Sequence, residues 1–294
     1  MREPFKLRKE APYLMFLLPA LIAYSLFVVI PLVLSFRYAF TDWDGVNEAA
    51  WVGLQNFQTA FKDKTMIIAM SNTFWYSIFV PLLVTALAIP LAVILNANMK
   101  TRNLQRAIFF FPSVLSALIM GYIWAYVLNP TASGMLNTIL GYFGIAPVKW
   151  LARANTAFGS LIGVAVWQQM GWHACIYLAN LQSIPKEYYE AATIDGANAL
   201  HRFRYITFPL IAPSMTISVM LLLTGSLKVF DLPFSLTGGG PGYTTTMVTQ
   251  IIITKGVSER MYGKATALSL IFFGLIFIVT VIQLTVMKRR ETSL

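Results

Sequence analysis

The sequence predicts an all-α integral-membrane fold, a single domain over 1–294 with six transmembrane helices and both termini in the cytoplasm. Three observations carry that expectation. Hydrophobic residues make up 57% of the chain and charged ones only 12%, which leaves a soluble globule short of polar surface. Six stretches, about 12–36, 72–95, 107–128, 156–180, 208–227 and 265–287, contain no Asp, Glu, Lys or Arg. The remaining basic residues are unevenly spread. With a cytoplasmic amino terminus, the inside segments (1–11, 96–106, 181–207, 288–294) hold 13 Lys and Arg in 56 residues. The outside segments (37–71, 129–155, 228–264) hold only 9 in 99.

Each stretch reaches the roughly 20 residues that a helix needs to cross a bilayer core. In lipid the backbone must bond within its own segment, so each is read as a helix. The first, with Pro19 and Pro31, is too long for a signal-peptide core and lacks a small-x-small cleavage site, so it reads as a retained anchor. The second carries Pro81 and Pro90 and the third Pro112, which membrane helices tolerate when neighbours re-satisfy the freed carbonyls. The third also holds Tyr122, Trp124 and Tyr126. The fourth is the most polar, with Trp167, Gln168, Gln169, Trp172, His173 and Asn180, and the fifth offers Thr224 and Ser226. Gly238-Gly239-Gly240-Pro241-Gly242 reads as a tight turn outside. Residues 247–257 are apolar but too few to span, and are expected to form a helix on the outer membrane surface. Lys288-Arg289-Arg290 reads as a cytoplasmic stop after the sixth span.

Several functions are disfavoured at this point. The net charge of +10 sits in short links between apolar runs, not in a nucleic-acid-binding face. Cys175 is the only cysteine and lies in an apolar run, while His173 and His201 are on different segments, so a metal site has little support. Gly256 followed by Gly263-Lys264-Ala265 misses the phosphate-loop spacing by two residues and lacks its hydroxyl. The glycine cluster at 238–242 fails the dinucleotide pattern at Tyr243. No cofactor is expected in this chain, so active transport would draw on another subunit or an ion gradient.

The loop 181–207 is the most unusual. Ser183 is expected to cap a short helix running to about Thr193, Gly196 to reverse the backbone, and Asp195 to cap a second helix carrying His201, Arg202 and Arg204. Ala191, Ala192 and Ala197 make this hairpin too weakly apolar to fold alone. Small side chains let another protein approach closely, and Glu190 offers a charged contact; a plain solvated hairpin is the alternative.

This loop resembles the cytoplasmic signature of bacterial type I ABC-importer permeases: Glu-Ala-Ala, three residues, Gly, nine residues, Ile, one residue, Leu-Pro. Here it reads Glu190-Ala191-Ala192, Gly196, Ile206 and Pro209, with Phe208 in place of the leucine. Residues 51–57 (Trp-Val-Gly-Leu-Gln-Asn-Phe), Phe230-Asp231 and Leu236 to Gly242 are similar to the maltose and multiple-sugar branch. The resemblance implies the six-helix permease bundle of a bacterial cytoplasmic (inner) membrane. It further implies a second homologous permease, two ATPase subunits that hold the ATP and magnesium, and an extracellular or periplasmic sugar-binding protein. Glu190, Ala191, Ala192, Asp195 and Gly196 would then dock on an ATPase. A sugar path wants amides and hydroxyls beside aromatic rings, which singles out Trp167, Gln168, Gln169, Trp172 and Ser226. The same residues could instead be interface anchors or helix glue. Other readings are a type I permease for a polyol, glycerol phosphate or peptide, and an ion-driven carrier. The last would need ionisable residues inside the spans, where only His173 occurs.

Overall fold

The computed structural model describes residues 7–288, with side chains from 15 to 287. Among the described residues there is no strand; Thr41 and Trp51 form an isolated antiparallel bridge. Arg289 and Arg290 of the predicted basic stop, and the cations Arg2 and Lys6, lie outside the described residues. The chain divides into two compact units, one running through Lys62 and including Ile252–Ile271, the other comprising Asp63–Ile251 and the chain from Phe272 onward.

The first unit opens with α1 (Leu7–Tyr24), a π-helical turn (Ser25–Val29) and α2 (Ile30–Tyr38). The wide turn precedes Pro31, which has no N–H to give; there the Ile30 N–H reaches back to the Ser25 carbonyl. No side chain of the apolar span Met15–Tyr38 is buried, so its cover comes from lipid or another protein. The chain then turns under the buried Asn56 of α3 (Gln55–Lys62), whose side-chain amide donates to the carbonyls of Ala39 (3.0 Å) and Thr41 (2.7 Å).

In the second unit α4 (Lys64–Asn96) starts where the Asp63 carboxylate accepts from the N–H of Thr65 and Met66. It continues unbroken through Pro81 and Pro90. Its buried positions, among them Tyr76, Val80, Val84, Ala88, Leu91 and Leu95, recur every three or four residues and pack along the matching stripe of α8 (Ala154–Leu181). α5 (Arg102–Val114) also crosses α8. Gly171 makes that crossing possible, because a Cβ there would sit 1.8 Å from the Phe109 carbonyl oxygen.

Two of the six expected helices are broken. The stretch 107–128 divides into α5 and α6 (Ala117–Val127), bent by 97°. Pro112 removes a hydrogen bond from the turn before the break, Leu115 is extended, and the Ser116 hydroxyl accepts from the Ile119 N–H to begin a new helix. After α7 (Met135–Tyr142), α8 and the loop helices α9 (Lys186–Ile194) and α10 (Ala199–Arg202), the stretch 208–227 breaks at Ile211. It divides there into α11 (Phe208–Leu210) and α12 (Ala212–Leu227), with an overall bend of 67°. Pro209 and Pro213 flank that break.

Three continuous helices are long and apolar enough to cross a membrane (Met15–Tyr38, Lys64–Asn96, Tyr262–Met287), or five spans if each bent pair counts as one. α8 has 28 residues, about 42 Å, and no charged side chain, but its glutamines and histidine make it less apolar than these.

The hairpin in 181–207 is capped differently from the expectation. The Ser183 hydroxyl donates to the Asn180 carbonyl at the end of α8, and α9 starts behind Pro185. Asp195 ends α9 instead of starting α10. Gly196 takes φ 76°, and the Ala197 N–H closes onto the Ala192 carbonyl at 2.8 Å. Asn198 then caps α10, accepting from the His201 N–H.

Past α12, α13 (Asp231–Thr237) packs on α6 and ends at left-handed Gly238. The glycine turn that follows is tied down when the Asn72 side chain donates to the carbonyls of Tyr243 and Thr246. In the stretch 247–257, Met247 and, in α14 (Val248–Ile253), Val248 and Ile251 are buried in protein, and the Val248 N–H donates to Thr73 Oγ1 on α4. α15 (Tyr262–Lys288) completes the chain.

Candidate functional site

Gln168 and Trp172, and Gln169 and His173, are four residues apart in α8, so the four share a side of that helix. Facing them, the second unit holds a cavity of about 600 Å³. Gln168, Gln169, Trp172 and His173 line it from α8, Gly225 and Ser226 from α12, Leu115 from the α5–α6 break and Tyr76 from α4. Of the five residues proposed for a substrate path, four therefore meet at one space. The fifth, Trp167, packs edge-on against Trp124 of α6, with ring centroids 5.4 Å apart, and is outside the lining. Tyr122, Tyr126 and Asn180 are also outside it, and the Thr224 hydroxyl bonds back to the Met220 carbonyl of its own helix.

Hydrogen bonding separates the four. The Gln168 side-chain amide donates to the Leu115 carbonyl at 3.0 Å, the group left without a helical partner by the break, so Gln168 stabilises the bend. His173, buried, meets Ser218 Oγ on α12 at 2.8 Å and joins the two helices. Gln169 and Trp172 reach the cavity free of such work: among the described residues neither has a hydrogen-bond partner, and Trp172 is 40% exposed with its ring edge-on to His173. Ser226 is 4% exposed and its hydroxyl has no partner among the described residues. An unpaired buried hydroxyl costs about 1–3 kcal/mol.

The two charged lining residues, Lys228 and Asp231, were missed by sequence reasoning. The sequence placed both in an outside link, whereas α13 folds back onto α6 and brings them to the cavity. The signal available was the Phe230-Asp231 pair, which the resemblance had already singled out.

The hairpin is a second site of opposite character. Neither α9 nor α10 buries a single residue. Ile194 is 87% exposed and Leu200 72%, while Glu190, Ala191, Asp195 and Gly196 are exposed and Ala192 half-buried. Tyr189 Oη and Thr207 Oγ1 lie 3.1 Å apart, and Arg202 donates to Thr193 Oγ1. Glu190 has no ion-pair partner among the described residues.

Residues 65–292 match the family model described as binding-protein-dependent transport system inner membrane component, which takes in the whole cavity and the hairpin. The chain belongs to that family. A relative named "Probable starch degradation products transport system permease protein", from Thermoanaerobacterium thermosulfurigenes, is 34% identical over 96% of this chain and 96% of its own length. The trehalose/maltose transport system permease protein of Thermococcus litoralis is 33% identical over 95% and 94%. The fold of this permease is similar to a crystal structure of a bacterial ABC transporter involved in alginate import, at TM-score 0.86 and 24% identity, covering 96% of this chain and 97% of the other. It is a multi-pass transport subunit, and the relatives to which it is similar are transport proteins, not enzymes.

Proposed function

We propose that this permease is one of two homologous membrane subunits of an ATP-driven importer of sugars or oligosaccharides in the bacterial cytoplasmic membrane. The carrying observation is the cavity. It joins an indole face, a free amide and an unpaired hydroxyl, the groups that a ring of hydroxyls and C–H faces calls for. The names of the relatives, starch degradation products and trehalose/maltose, support the same class. A solved alginate transporter bound to a periplasmic protein carrying an alginate pentasaccharide shares the fold and supports a binding-protein partner.

In this reading three continuous helices, two bent pairs and α8 make six spans, with both termini inside. The hairpin residues Glu190, Ala191, Ala192, Asp195 and Gly196 dock on one of two ATPase subunits, which hold the ATP and magnesium. ATP-driven closure of those subunits pushes the hairpin, and the bundle alternates between openings to either side of the cavity. ATP drives the change only to the extent that the ATPases hold the two states differently.

The test is accumulation of radiolabelled mono- to tetrasaccharides by vesicles holding the permease pair, ATPases and binding protein. ATP-dependent uptake of at least one is expected, and uptake of none overturns the reading. Topology is checked with impermeant thiol reagents: Asn198→Cys should react only from the cytoplasm and Gly239→Cys only from outside.

A further inference from the structure

The first unit contains a separate pocket of about 280 Å³, formed by the turn after α2, the start of α3 and the entry to α15. Its lining mixes both signs of charge with amides and an indole: Asp42, Trp43, Gln55, Asn56, Arg260 and Lys264. Some groups are occupied by the fold. Asn56 donates to Ala39 and Thr41, and Asp44 closes its own loop by accepting from the N–H of Asn47 and Val46 and from the Asn47 side chain. Those bonds, the Asn47 N–H first, hold the Asp44 carboxyl below its ordinary value.

The other groups are not occupied. Asp42 binds the Ala50 N–H through Oδ1 alone. Among the described residues, the Trp43 indole N–H, the Gln55 amide, the Arg260 guanidinium and the Lys264 ammonium have no hydrogen-bond or ion-pair partner. Asp42, Gln55, Arg260 and Lys264 are exposed, and two points of the lining are held in place. Trp43 stacks on Tyr38 at 4.1 Å and tilts against Tyr262 at 5.4 Å. Arg260 holds φ 55°, a left-handed pose that a non-glycine residue keeps only when its surroundings fix it; the next N–H, of Met261, bonds the Lys255 carbonyl.

An anion site would present donors alone. Here a carboxylate with an open lone pair stands among the donors, beside a fixed indole, in a space of small-ligand size. We propose that this pocket is a second saccharide-binding site, separate from the bundle cavity and sized for a single pyranose unit. Its ligand class rests on the sugar-importer reading. In that topology both contributing segments, 37–71 and 228–264, face outside, so the pocket holds sugar on the side where the binding protein releases it.

The test uses the permease pair with its ATPases in nanodiscs, without binding protein, and saturation-transfer NMR with glucose, galactose, arabinose, maltose and maltotriose. Ser226→Trp fills the bundle cavity. Saturation transfer to at least one saccharide should persist in that variant. Adding Asp42→Asn with Lys264→Met, or Gln55→Ala alone, should weaken it roughly tenfold, as expected when hydrogen bonds to fixed or charged groups are lost. Transfer in the unplugged complex that vanishes with Ser226→Trp would confine binding to the bundle cavity, overturning this site and leaving the importer reading intact. Undiminished binding in both Asp42→Asn/Lys264→Met and Gln55→Ala overturns the site as well. Absence of transfer from every complex overturns this site, and the importer reading is then decided by the uptake test with binding protein.

Discussion

The α8 cavity and the α9–α10 hairpin are completed in opposite ways. Around the cavity, polar groups are either bonded across helices, as Gln168 is to Leu115 and His173 to Ser218, or left free at the lining, as with Gln169 and Trp172. In the hairpin nothing is buried, and Ile194 and Leu200 stand in the open. In the proposed reading the first region takes a small polar guest and the second a protein surface. A machine that moves a solute by another subunit's energy needs both kinds of incompleteness, and separate ones.

Substitutions can break that division, and the largest effect is expected in the hairpin. A Cβ at Gly196 meets nothing within 4 Å, so Gly196→Asp costs about 1 kcal/mol or more in backbone strain without a clash inside the chain. We expect normal insertion and abolished uptake and substrate-stimulated ATP hydrolysis, measured in reconstituted vesicles. Glu190→Lys comes next. If the carboxylate is buried against a basic residue of the ATPase, its loss costs on the order of 2–5 kcal/mol, and the same two activities fall together. An acidic replacement in the ATPase cleft should restore part of both.

The cavity effects are smaller and of another kind. Gln169→Ala and Trp172→Ala should each lower uptake about tenfold, the loss of a hydrogen bond or a ring contact worth about 1–1.5 kcal/mol. Trp124→Ala, which removes packing on Trp167 and the core but touches no cavity-lining contact, should lower it less. Equal uptake by all three variants and the parent would move the path to the partner subunit. The smallest effect on uptake is expected for Gln168→Ala, which acts on stability instead. It strips the Leu115 carbonyl of its donor, so a loss of about 1–3 kcal/mol should appear as a lower thermal midpoint of the purified complex.

Much of this was legible in the sequence because lipid leaves the backbone few choices. Charge-free stretches located every long helix, and the polar run from Gln168 to His173 located the cavity wall. What escaped was set by contacts distant in sequence. Pro112 warned of a disturbance, but the break came at Leu115 and Ser116, where a hydroxyl cap and Gln168, 53 residues away, stabilise a bend. Asp195 and Asn198 are both good caps. Left-handed Gly196 between them makes the first a helix end and the second a helix start. Lys228 and Asp231 looked like solvated link residues, because nothing local says that α13 folds back onto α6.

The division between the two regions is tested most directly by measuring uptake and ATP hydrolysis in the same vesicles, with loaded binding protein present. The comparison is between Gly196→Asp and the double variant Gln169→Ala/Trp172→Ala. The double variant should keep stimulated hydrolysis and move less sugar per ATP, while Gly196→Asp should lose hydrolysis and uptake in the same proportion. Parental uptake by Gly196→Asp, or an unchanged sugar-to-ATP ratio in the double variant, would contradict the account.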